Sequence, residues 1–169
     1  MNRGLKILAI VLLAATVAGA GAVLYGITML APQVVSVTAA VTPAVQVPDA
    51  FADTMEKIAS GTFAGTQFEE AASLNAQDAS FITYTVRVKN RGFFPAEWIT
   101  LQVEPWNMDG AGYDVLQLPD ARAQVLPAFG EGDLSATILR AGEAGITARN
   151  MRIVCYVFGR KVEVAAQAN

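Results

Sequence analysis

The chain has 169 residues, a formal net charge of -3, no histidine and one cysteine. Missing histidine excludes Ser-His-Asp and Cys-His catalysis, imidazole-ligated zinc and imidazole pH switching, and a lone cysteine excludes an internal disulfide. All 15 acids lie from residue 49 onward, and of the 12 cations Arg3 and Lys6 precede that point; with no basic stripe for a phosphate backbone, nucleic acid is not an expected partner.

From Ile7 to Leu30 no residue is charged. As a helix this run is roughly 36 Å long, enough to cross a hydrocarbon core of about 30 Å. Arg3 and Lys6 precede it and the next cation is Lys57, which by the positive-inside rule puts the N-terminus in the cytoplasm and the rest outside. Residues 1–31 are therefore expected to be a single-pass signal anchor in the cell membrane, with an extracellular C-terminal domain. The competing reading is a cleaved signal peptide and a secreted ligand-binding module, because Ala18-Gly19-Ala20 and Ala20-Gly21-Ala22 both fit a small-x-small cleavage site. Ala14, Ala18, Ala22 and Gly26 recur every fourth residue, a small-residue stripe that would let two helices approach and makes a homodimer one option.

Pro32 ends the helix, lacking an amide hydrogen and disfavouring helical backbone before it. Strand alternation starts almost at once, with Val35, Val37, Ala39 and Val41 on one face and Ser36, Thr38 and Thr42 on the other. The domain, residues 32–169, thus has virtually no stalk, and its expected partners are the membrane and neighbouring membrane or cell-surface proteins. Residues 48–80 form a partly helical insert: Phe51, Met55, Ile58 and Ala59 share a helical face and Gly61 is a C-terminal stop.

In "FITYTVRVKNRGFFPAEWITLQVEP", residues 81–105, Ile82, Tyr84, Val86 and Val88 alternate with polar residues, and after a Gly-containing turn Ile99, Leu101 and Val103 do the same. This predicts two half-buried antiparallel strands. Apolar segments at 113–118, 134–139, 151–158 and 161–165 bring the expectation to about seven strands and a mainly β, single antiparallel sandwich.

The stretch resembles bacterial Ig-like modules of the cell-adhesion-related (CARDB) and NEW3 type, which show a Y-x-V-x-V-x-N-x-G strand and turn followed by an alternating strand. Tyr84, Val86, Val88, Asn90 and Gly92 match that pattern, as do Ile99, Leu101 and Val103. The resemblance implies an Ig-like or fibronectin-like fold and a non-catalytic role; it brings no ligand with it.

Candidate chemistry is sparse. "NMDGAGYD", Asn107 to Asp114, lacks the alternating acids and terminal glutamate of a calcium loop and reads as a turn. Adjacent carboxylates Glu69 and Glu70 point apart and read as solvated, so no metal, cofactor or catalytic residue is expected. Cys155 shares a phase with Met151, Ile153 and Val157 and should be a core residue. On the other face of that strand Val154, Tyr156 and Phe158 are apolar where polar residues are expected. Either another segment, for instance the 49–60 helix, covers them, or they form an interaction surface together with Trp98. Trp106, at the strand end, reads as edge packing. The expected function is a non-catalytic, membrane-anchored surface protein with structural or protein-binding roles near the bilayer.

Overall fold

Helix α1 spans Arg3–Thr28 in the computed structural model, which describes residues 3–28, 30–71, 73–108, 112–118, 124–142 and 149–168. Its apolar window, Arg3–Gly26, buries nothing against the rest of the chain, and its length and composition are those of a membrane anchor or a signal sequence. Pro32 is buried, and strand β1 (Gln33–Pro43) begins at the next residue. Helix α2 (Pro48–Ala59) follows with Pro48 at its start, Asp49 in its first turn, Lys57 in its last and Gly61 beyond its end at φ +68°. Each suits that position: proline's fixed φ starts a helix, the charges oppose the helix dipole, and glycine takes the left-handed backbone at no steric cost.

The remaining strands are β2 (Thr66–Gln67), β3 (Ala79–Lys89), β4 (Ala96–Val103), β5 (Asn107–Met108), β6 (Gly112–Leu118), β7 (Gln124–Leu126), β8 (Glu131–Ala141), β9 (Arg149–Val157) and β10 (Arg160–Ala168). Seven of them are long; β2, β5 and β7 are short additions of two or three residues. One sheet runs β1-β3-β8-β6-β2, with β5 also on β6, and the other runs β10-β9-β4-β7. All pairings are antiparallel. The orders β1-β3-β8-β6 and β10-β9-β4 are those of the two sheets of a constant-type immunoglobulin sandwich.

The space between the sheets holds the main core, in which Ile82, Tyr84, Val86 and Val88 of β3 and Leu134, Ala136 and Ile138 of β8 meet Ile99, Leu101 and Val103 of β4 and Met151, Ile153, Cys155 and Val157 of β9. A second core lies on the outer face of the first sheet, where Phe81, Leu116 and Leu139 are covered by Phe51, Met55 and Ile58 of α2. That placement corrects one expectation: α2 covers the first sheet and not the Val154 face of the second. Ala59, expected on the buried face of α2, is exposed.

Two bulges account for further departures. One extra residue on β1 between Val34 and Ser36 turns Val35 outward, so that Val34, Val37, Ala39 and Val41 pack inward. On β4 an extra residue between Glu97 and Thr100 includes Trp98 at φ +53°. The two sheets are also joined by a side chain: Gln117 of β6 accepts from the Val103 amide (3.2 Å) and donates to the Leu101 carbonyl (3.0 Å) of β4.

Candidate functional site

Large or charged side chains collect at the two ends of the sandwich, which lie roughly 30 Å apart along β8. The far end is where Ala79 and Ala141 pair; the near end, where Lys89 and Glu131 pair, also receives β1 from α1.

At the far end Arg140 of β8, Arg149 of β9 and Asp114 of β6 point into the core phase and are at most 3% exposed. Arg149 donates to Asp114 Oδ1 at 2.9 Å, bridging the two sheets. Asp114 Oδ2 accepts from the Trp106 amide at 2.9 Å, and the Trp106 carbonyl accepts from the Asp114 amide at 2.9 Å. The Trp106 ring is flanked by both guanidinium groups, with centroid distances of 4.0 Å to Arg140 and 4.7 Å to Arg149, within the range of cation–π attraction. Burial, reinforced by the neighbouring Arg149 charge, pushes the Arg140 guanidinium down, with Asp114 opposing. Burial likewise pushes the Tyr84 phenol up, against the pull of Arg149. With its charges this deeply enclosed, the cluster offers no surface to a substrate; what it does is tie β6, β8, β9 and the segment after β4 together.

At the near end three turns carry four phenylalanines. Phe93 and Phe94 stand between β3 and β4, Phe129 between β7 and β8, and Phe158 between β9 and β10. Phe93 and Phe129 meet edge to face at 5.2 Å, Phe94 and Phe158 at 4.1 Å. Even so, Phe93 and Phe129 are each 58% exposed and Phe158 is 73% exposed. A groove of about 530 Å³ lies between these turns and α1, lined by Ala22, Val23, Gly26 and Leu30 on one side and Phe93, Phe94, Phe158 and Arg160 on the other.

Asn90 fastens the root of two of these turns, β3–β4 and β7–β8. It is buried, its Nδ2 donates to the carbonyls of Phe94 (2.7 Å) and Pro127 (3.0 Å), and its Oδ1 accepts from the Gly92 amide (2.8 Å). Its own amide donates to the Gly130 carbonyl at 2.8 Å.

The chain matches no known family model, and no curated protein is similar enough to be a relative.

The interaction surface expected at Val154, Tyr156, Phe158 and Trp98 is distributed differently from its sequence phase. Val154 is buried between its cross-strand neighbours Thr100 and Glu163, while Arg152 beside it reaches Glu104 (3.6 Å) and Glu163 (3.5 Å) across the sheet face. Tyr156 is partly exposed, and Phe158 and Trp98 are freely exposed at the near end. In the small-residue stripe Ala14, Ala18 and Ala22 are exposed and Gly26 is half-buried; Ala22 and Gly26 also border the groove beside the aromatic turns. Glu69 and Glu70 are exposed, and Asp109 of the Asn107–Asp114 turn lies outside the described residues.

Cys155 is buried, and burial pushes its thiol up. A membrane-impermeant maleimide should leave the native protein unlabelled and react fully after denaturation, because the thiolate is the reactive form and access is closed; labelling of the native chain by mass spectrometry would contradict the packing described.

The charged cluster lies just outside the apolar runs 134–139 and 151–158, so their composition does not reveal it. Extending the inward phase of Leu134, Ala136 and Ile138 by one step reaches Arg140, and extending that of Met151 and Ile153 backwards reaches Arg149. A cation in core phase was the available signal. Phe129 is marked only by its place before glycine in "PAFG".

Proposed function

We propose that this chain is a non-catalytic, single-pass membrane protein that holds one Ig-like sandwich against the outer surface of the bilayer as a structural or protein-docking unit. The observation that carries this reading is α1 itself: an apolar helix with none of its hydrophobic window buried, joined to β1 by four residues, 29–32. An apolar rod of this length is costly in water, since each fully exposed large aliphatic side chain forgoes about 1.5–3 kcal/mol of burial. The short junction keeps the domain beside the lipid, so its partners are proteins of the same membrane or ligands near its surface. A binding role in place of chemistry suits a chain without histidine whose single thiol is enclosed and whose inward charges are sealed at the far end of the core.

Carbonate extraction, N-terminal sequencing and protease treatment of intact cells expressing a C-terminally tagged full chain test it. The tagged chain should stay in the membrane pellet with its N-terminal segment intact and lose the tag to external protease. A mature chain beginning near Val23 and recovered from the medium would replace the anchor by a secreted module, and protection of the tag would reverse the orientation.

A further inference from the structure

The aromatic turns lie level with the last turns of α1, not beyond its end. Phe93, Phe94 and Phe158 share a groove with Ala22, Val23 and Gly26 of α1 as well as with Leu30, and at about 1.5 Å per residue Ala22 to Gly26 covers roughly 6 Å of helix axis. The uncharged part of α1, from Ile7 to Thr28, is roughly 33 Å long and exceeds the hydrocarbon thickness of about 30 Å, so its last residues occupy the headgroup boundary. Side chains that reach back along this stretch reach the same depth.

The backbone of the turns points the same way. Among the described residues the non-glycine positions with left-handed φ are Trp98 (+53°), Phe129 (+57°) and Phe158 (+54°), all of them exposed aromatic residues near this one end. Phe158 and Gly159 (φ +70°) are the two central residues of the turn between the paired Val157 and Arg160, a two-residue hairpin with positive φ at both positions, which normally favours Asn-Gly. Phe129 is third in a turn closed by the Gly130 amide on the Pro127 carbonyl (3.0 Å), with a φ that glycine or asparagine adopts more readily. A bulky side chain in such backbone is disfavoured by its own Cβ, and exposure in water returns nothing for it. Burial outside the chain does.

We propose that this end of the sandwich is a membrane-contacting surface: Phe93, Phe94, Phe129 and Phe158 enter the headgroup–acyl boundary of the bilayer crossed by α1, with Trp98 at its polar rim. Apolar rings such as Phe bury about 5–10 Å into that boundary in membrane-surface segments, and Trp concentrates at its polar rim. Arg91 and Arg160, exposed beside the same turns, face the lipid phosphates. The proposal rests on α1 being retained as an anchor and adds a second contact that fixes the tilt of the domain.

The test uses the full chain in phosphatidylcholine and phosphatidylglycerol vesicles. In a Trp98→Phe background the remaining Trp106 lies at the far end and serves as the internal reference; Phe158→Trp, or Phe129→Trp in a separate variant, adds a reporter. With lipids brominated near the top of the acyl chain, reporter emission should fall roughly twofold or more while the Trp106 reference is unchanged, as the aromatic-belt position requires. Quenching by aqueous iodide in place of brominated lipid would overturn the proposal by showing a solvent-facing surface. Shielding from both quenchers would overturn it in favour of contact with another protein or a second copy. Flotation of the same sample with the vesicles reports α1 separately, so a chain that fails to float refutes the anchor reading, and a chain that floats with an unquenched reporter refutes the lipid contact alone.

Discussion

Asp114→Asn should destabilise the sandwich by about 3–5 kcal/mol, because it leaves the Arg149 guanidinium buried without its counter-charge. For a domain of this size that corresponds to a fall of roughly 10–17 °C in the melting temperature of the detergent-solubilised chain. With its single oxygen kept on the Trp106 amide, the asparagine turns its NH2 toward the Arg149 donor, so the loss reports the ion pair together with its hydrogen bond and not the neighbouring backbone contact. Adding Arg149→Met should restore part of the stability, since replacing both members of a buried pair by apolar groups is far less costly than removing one. A melting temperature within about 2 °C of the parent for Asp114→Asn alone would mean that water reaches the cluster and that the two sheets are not tied there.

Asn90→Ala should cost about 2–4 kcal/mol, because one side chain serves the Phe94 and Pro127 carbonyls and the Gly92 amide at once and is itself enclosed. Asn90→Asp keeps the acceptor for Gly92 but turns a second carboxylate oxygen toward two carbonyls, so at neutral pH it should be at least as destabilising as alanine. Denaturant midpoints of the solubilised chain, with the slope checked for constancy, measure both. A loss below about 0.5 kcal/mol for alanine, the size of an ordinary surface change, would show that the turns are held by other contacts. The same asparagine anchors the turns that carry Phe93, Phe94 and Phe129, so its removal is expected to loosen the near end before the far end.

Much of this architecture was legible in the sequence because inward and outward residues alternate strictly in β3, in most of β8 and in the latter part of β4. The pattern Tyr84, Val86, Val88, Asn90 and Gly92 has a plain physical content in the structure: three inward side chains, one buried amide that fastens two turns, and the backbone it holds. The rest was hidden by three physical causes. Extra residues on β1, β4 and β6 shift the phase of Val35, Trp98 and Val115, and a pattern of period two carries no mark of where such a shift falls. Arg140 and Arg149 occupy core phase, a place charged residues rarely take unless paired, and their pairing depends on Asp114 and Trp106 from another part of the chain. Left-handed backbone at Phe129 and Phe158 is invisible where the residue type argues against it.

The amide of Gln117 has a consequence for assembly. By occupying the Leu101 carbonyl and the Val103 amide, and with β7 already laid against Ala96 and Ile99, it blocks the flank of β4 from recruiting an extra strand from a neighbouring polypeptide. Sheet extension between copies is thereby steered to the opposite margin, along β10, where Lys161 and Glu163 make an approaching backbone confront charge.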